Sequence, residues 1–171
     1  MGSGTGWNVE QLGPRLQSLA NVHIVDVARS MLKAADARIA RQGWKNVRTA
    51  CADAATFRPP DGAADIVTFS YSLTMMWDWP AALANAYDML RPGGYIGVVD
   101  FYISPNRHNP IARRFWPAWF RRGHVTVSAE HLPRLLRQFA PVNLQECFGR
   151  LPFLLWPRVP YYIFVGRKSV N

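Results

Sequence analysis

The residues best suited to chemistry stand at the start of the chain. Gly2-Ser3-Gly4-Thr5-Gly6 sets three glycines at alternate positions, and Asp26 closes the apolar run Val22-His23-Ile24-Val25 further on. Glycine adopts backbone conformations that other residues resist, so such a turn lets main-chain atoms come close to a ligand. An acid roughly 20 residues downstream can accept hydrogen bonds from two ribose hydroxyls, one on each carboxylate oxygen. Together they point to a nucleoside-bearing cofactor. A dinucleotide-binding turn reads G-x-G-x-x-G, where the third glycine permits close helix–strand packing. Trp7 occupies that position here, so the loop follows G-x-G-x-G instead.

The rest of the chain supplies elements able to hold these groups. Val9 to Ala20 carries apolar residues on one helix face, weakened by Gly13 and Pro14. Residues 22–27 read as a buried parallel strand, and Ser30 to Gly43 as a helix with Met31, Leu32, Ala35 and Ile39 in one stripe. Val47 to Asp53 is a second strand ending in an acid, Ala64 to Tyr71 a third and Tyr95 to Tyr102 a fourth, with a helix from Pro80 to Leu90 between the last two. Ser128 to Phe139 reads as a helix, and strand-like Asn143 to Phe148 and Tyr161 to Val165 close the chain. Apolar strands alternating with helices predict a single α/β domain with a doubly wound, Rossmann-like sheet.

On these residues the chain resembles the class I S-adenosylmethionine-dependent methyltransferases. The glycine loop, Asp26, Asp53 in Cys51-Ala52-Asp53-Ala54, the strand Asp65-Ile66-Val67 and Leu90-Arg91-Pro92-Gly93-Gly94-Tyr95 occur in the family's order. The resemblance implies S-adenosyl-L-methionine as cofactor. Gly2, Gly4, Thr5 and Gly6 would pass its methionine part, Asp26 its ribose, and Asp53 with the Ala54 amide its adenine. Ser70 would lie at the cofactor end of the third strand, and Met31 and Ala52 would pack on the adenine ring. The family places an apolar strand ending in an acid before the first glycine. Met1 stands directly before Gly2 here, so a sheet without its central first strand is expected. Ser70-Tyr71-Ser72-Leu73-Thr74-Met75 and Val159-Pro160-Tyr161-Tyr162-Ile163-Phe164-Val165-Gly166-Arg167-Lys168 further resemble the N-methyltransferases of bacterial betaine-lipid synthesis, which trimethylate diacylglyceryl homoserine. The acceptor so implied is an amino-lipid. Other methyltransferase substrates, phosphatidylethanolamine or a quinone precursor, and a non-catalytic binding module are the alternatives.

Methyl transfer needs proximity and orientation more than a protein nucleophile. Methylated amines are cations that aromatic faces attract. Tyr71 and Tyr102, followed by Trp77, Trp79 and Phe101, lie at or past the carboxyl ends of two strands, where doubly wound folds bind ligands. Tyr71 and Tyr102 are the candidate catalytic residues. His108, His124 and His131 show no metal-ligand spacing and no metal is expected, while His23 reads as a satisfied core histidine.

The net charge of +9 is unevenly placed: residues 1–102 hold nine Lys/Arg and nine Asp/Glu, and residues 103–171 hold eleven against Glu130 and Glu146. Within 103–127, a basic-aromatic insert, Arg113-Arg114-Phe115-Trp116-Pro117-Ala118-Trp119-Phe120-Arg121-Arg122 combines headgroup-seeking aromatics with arginines drawn to anionic lipid. Leu151 to Arg158 is a second such stretch. An anionic membrane surface is the expected partner, with the chain cytoplasmic and peripheral on the inner leaflet. No nucleic-acid partner is expected, since the Asn/Asp-Pro-Pro-Tyr signature of base methyltransferases is absent around Tyr71. Cys51 and Cys147 read as small buried hydrophobes.

Overall fold

The structure, a computed structural model, describes residues 1–103, 127–149 and 159–170. Its first unit is a parallel pair. β1 (Val22–Asp26) runs beside β2 (Val47–Cys51) in register from Val22↔Val47 to Asp26↔Cys51. The crossover helix α1 (Arg29–Gln42) buries Leu32 and Ala35 and stops at Gly43, whose φ of 66° lets its N–H turn back to the Ala40 carbonyl. Successive β1 residues face opposite sides. Ile24 therefore joins Leu16, Leu32, Ala35 and Val47 in one core, while Val25 joins the main core on the other side.

The second unit is a four-stranded sheet in the order β3-β4-β6-β5. β3 (Ala64–Ser70) and β4 (Leu90–Phe101) are parallel and joined through α2 (Trp79–Met89). That helix starts where Asp78 accepts the Ala81 N–H, with Pro80 in its first turn, and it buries Ala82, Leu83, Ala86 and Met89. After α3 (His131–Gln138), β5 (Ala140–Gly149) and β6 (Val159–Arg167) form an antiparallel pair, and β6 pairs antiparallel with β4. The sheet is thus Rossmann-like but mixed: β3, β4 and β5 run in one direction and β6 alone runs against them.

Between β1 and β3 no strand intervenes among the described residues. Only residues 1–3 span the break, the Met1 amine donating to the Thr68 carbonyl at 2.9 Å and the Ser3 N–H to the Val25 carbonyl at 3.0 Å. A strand inside a doubly wound sheet is ordinarily buried on both faces. Ile66 of β3 is instead 59% exposed.

Two expectations need correction. Val9 to Ala20 is no continuous helix: Gly13 at φ 54° and Pro14 divide it into a four-residue turn, Trp7–Glu10, and a 3-10 segment, Gly13–Ser18, that still buries Leu16. Cys51 is exposed rather than buried, since it ends β2 at the outer edge of its sheet, and Cys147 on edge strand β5 is half-buried. The stretches 113–122 and 151–158 lie outside the described residues.

Candidate active site

The glycine turn is built on positive φ angles of 59°, 53° and 70° at Gly2, Gly4 and Gly6, a region costly for residues with a Cβ. Each glycine has its own surroundings. A Cβ at Gly2 would come within 2.6 Å of Ser72 Cβ, and one at Gly6 within 2.7 Å of Ile24 Cδ1, so both are wedged against neighbouring elements. A Cβ at Gly4 would meet nothing within 4 Å. The turn therefore presents open backbone at its middle while its ends are fastened, and half-buried Thr5 sits beside that opening.

Asp26 holds this turn. Its Oδ2 accepts the Gly4 N–H at 2.8 Å and its Oδ1 the Ala28 N–H at 2.9 Å. Each carboxylate oxygen keeps a further lone pair for ribose hydroxyls. Met31, whose N–H returns to the Ala28 carbonyl, begins α1 beside this turn with its side chain 46% exposed, outside the core. The Ala52 N–H donates to the Asp26 carbonyl at 3.1 Å, which brings the second strand-end acid alongside the first.

Asp53 is exposed, and its Oδ1 accepts the Ala55 N–H at 2.8 Å. Ala54 is buried, and its carbonyl, with that of Phe57, accepts from the Asn85 side chain. Asn85 is a buried amide on the apolar face of α2 that pins the Asp53 turn. Sequence reasoning missed it, although a lone Asn in an alanine-rich helix face was the visible signal.

The end of β3 carries the third part. Ser70 pairs with Val99 and is half-buried. Tyr71 takes φ 51°, the only non-glycine residue at positive φ among those described, and donates its N–H to the Val99 carbonyl at 2.7 Å. Strained backbone of this kind persists where the surroundings enforce it. Ser72 Oγ donates to the Met1 carbonyl, tying the Tyr71–Met75 turn to the glycine loop. From the other side buried Asp100 fixes the same turn, its Oδ1 accepting from Thr74 Oγ1 at 2.7 Å and its Oδ2 from Thr74 N–H at 3.2 Å. Burial pushes the Asp100 carboxyl above the usual carboxylate range, and the bonds from Thr74 and Phe101 oppose that rise. Its signal was an acid inside an apolar strand, which the sequence reading passed over.

Tyr71 and Tyr102 lie on opposite faces of the sheet. The Tyr71 ring meets Phe101 at 4.9 Å and Tyr161 at 6.4 Å, whereas Tyr102 is buried edge-on to Tyr162 at 5.7 Å. Phe101 pairs with Tyr161, and Asp100 pairs with Tyr162 one residue along. Neighbouring pairs face opposite sides. Burial raises both phenols above their ordinary value. Trp79 packs half-buried against the core and edge-on to His131 at 4.5 Å, while Trp77 is fully exposed. His23 is not a core residue: its Nε2 meets exposed Asp61 at 2.9 Å.

The residues present fit an adenosyl sulfonium. An open glycine backbone, the Asp26 carboxylate that fastens it and the exposed strand-end Asp53 stand at adjoining strand tips. A Rossmann-like sheet with that turn and that acid defines a methyltransferase of the class I type. The chain belongs to the methyltransferase domain family, which it matches over residues 1–94. It is 33% identical over 99 residues to the ubiquinone/menaquinone biosynthesis C-methyltransferase UbiE of Marinomonas sp. (strain MWYL1), covering 57% of this chain and 39% of that protein. Over 140 residues it is 31% identical to the mitochondrial 2-methoxy-6-polyprenyl-1,4-benzoquinol methylase of Leishmania donovani, covering 81% and 49% respectively. The chain thus spans half or less of the length of these relatives. The N-methyltransferase NodS from Bradyrhizobium japonicum WM9, in complex with S-adenosyl-L-homocysteine, superposes with a TM-score of 0.70 at 20% identity over 96% of this chain and 73% of that one.

Proposed function

We propose that this chain carries the cofactor half of an S-adenosylmethionine-dependent methyltransferase acting on the hydroxylated aromatic ring of a lipophilic quinol. The observation that carries the cofactor reading is the Asp26–Gly4 bond, which joins the acid to the turn across 22 residues of sequence. S-adenosylmethionine supplies a methyl group on a positively charged sulfur. The chain's residues bind and orient: Gly4 offers open backbone, Asp26 takes the ribose, Asp53 with Ala54 takes the adenine, and Met31 covers it.

Two quinone-pathway methyltransferases among the curated relatives support the ring acceptor. N-methylation of an amino-lipid is the second reading, resting on the resemblance around Tyr71 and on the Tyr71–Phe101–Tyr161 cluster, whose faces suit a quaternary ammonium. Both acceptors are lipophilic. In either reading the basic-aromatic stretch 113–122 would meet anionic lipid at a membrane surface. No helix among the described residues is long and apolar enough to cross a membrane.

Incubation with methyl-labelled S-adenosylmethionine and, in parallel, a demethylated polyprenyl quinol and diacylglyceryl homoserine separates the readings. Label in the quinol ring supports the first. Label only in the amino-lipid replaces it with the second, and label in neither removes both.

A further inference from the structure

We infer that His131 recognises the methyl acceptor, its neutral imidazole taking a hydrogen bond from a ring hydroxyl of a phenolic substrate. The inference rests on the quinol reading above and adds a residue to it. His131 opens α3 and is fully buried, and neither Nδ1 nor Nε2 has a hydrogen-bond partner among the described residues. Buried polar groups are nearly always paired, so two orphaned nitrogens on one side chain call for a partner that is a ligand. Arg134 and Gln138, one and two turns along, also carry unpaired atoms, but those residues are only half-buried and nearer water.

The surroundings match the place and the ligand. The ring beside His131 belongs to Trp79, in the first turn of α2 and four residues past the Leu73–Met75 turn, which Asp100 fastens to β4 and the adjoining Ser72 to Met1. In the main core Tyr162 is also wholly buried, its hydroxyl unpaired among the described residues and its ring edge-on to Tyr102. The Trp79 indole gives a flat apolar wall, and His131 gives a polar contact at its edge. A flat ring bearing a hydroxyl satisfies both. Its entry displaces the Trp79 indole from the imidazole edge. Burial without a partner lowers the His131 pKa to about 4, so the ring is neutral at pH 7 and able to accept.

The test uses the full chain with S-adenosyl-L-homocysteine bound and 2-methoxyhydroquinone as probe. Its control is 1,2,4-trimethoxybenzene, the same ring with no hydroxyl donor. In nitrogen-15 spectra of the histidine rings the hydroquinone is expected to shift His131 and leave His23 unmoved, and the trimethoxy compound to shift neither. His131→Leu should weaken the hydroquinone by about tenfold, as the loss of one buried hydrogen bond does, with homocysteine-cofactor affinity unchanged; His131→Gln should recover part of it. His131→Leu should also melt higher than the parent, because it removes two unpaired buried nitrogens. An unmoved His131 signal, or equal hydroquinone affinity in a folded His131→Leu, overturns the inference. Loss of cofactor-product binding in the parent chain would instead sink the methyltransferase reading.

Discussion

The carboxylate of Asp26 accepts the amide hydrogen of Gly4 at 2.8 Å, although the two residues stand at the tip of one strand and in the loop before its helix-like turn. The same side chain is thus a fastener for the loop and, in the proposed function, the receptor for ribose. Asp26→Asn can keep one acceptor but turns an amide NH2 donor toward either the Gly4 N–H or a hydroxyl. We expect Asp26→Ala to weaken S-adenosylmethionine by roughly 1–3 kcal/mol, and Asp26→Asn by less, measured by titration calorimetry on folded protein. Equal affinity across all three would reduce the acid to a structural role.

Gly2 and Gly4 should respond differently to alanine. Gly2→Ala adds a clash with Ser72 Cβ to the strain of a positive φ, whereas Gly4→Ala carries the strain alone. Thermal melts should show Gly2→Ala the less stable of the two. Gly4→Ala should cost about 1 kcal/mol of stability yet lose more cofactor affinity than that, because its methyl group points into the open cradle.

Asp100 is buried and satisfied by Thr74 and Phe101, so its loss strands their donors. Asp100→Ala should destabilise the fold by roughly 2–4 kcal/mol in urea unfolding. Thr74→Val, which removes only the hydroxyl partner, should cost less. Parity between them would mean that the carboxylate does not hold the turn.

Acid should loosen the protein through His131. Its folded pKa of about 4 lies below the ordinary 6.5, so between those values the unfolded chain binds more protons and stability rises with pH. Falling from pH 6.5 to 4 should remove roughly 3 kcal/mol at most. Asp100, whose raised pKa acts in the opposite sense, offsets part of this in the parent. The gap between the urea midpoints of His131→Leu and the parent should therefore be smallest near pH 6.5 and widen below it.

The break between β1 and β3 should be visible in hydrogen exchange. β4 is paired on both sides and β3 on one. Amides of β3 that do not pair with β4 should exchange faster than those of β4 by an order of magnitude or more. Uniform protection across β3 and β4 would show that its free edge is covered in solution.

Much of this was legible because periodic patterns encode it. β1 to β4 are apolar runs bounded by glycine, proline or an acid, and Gly43 stops α1 where its conformation requires. Asp26 and the glycine turn could be paired by spacing alone. The antiparallel return of β6 could not, since an apolar run does not declare its direction. Neither could the positive φ of Tyr71, which depends on neighbours and not on its own preference. Tyr71 and Tyr102 looked equivalent at two strand ends, but one residue of register sends them to opposite faces. Asp100 and Asn85 act through tertiary partners far away in sequence, and only the fold reveals that those partners exist.

Calorimetric titration of the folded parent chain with S-adenosylmethionine and S-adenosyl-L-homocysteine tests the central claim most directly. The account predicts saturable binding of both at one site, protecting the amides of Gly4 and Ala28 from exchange. Absence of heat up to millimolar ligand, or binding that leaves those two amides untouched, would contradict it.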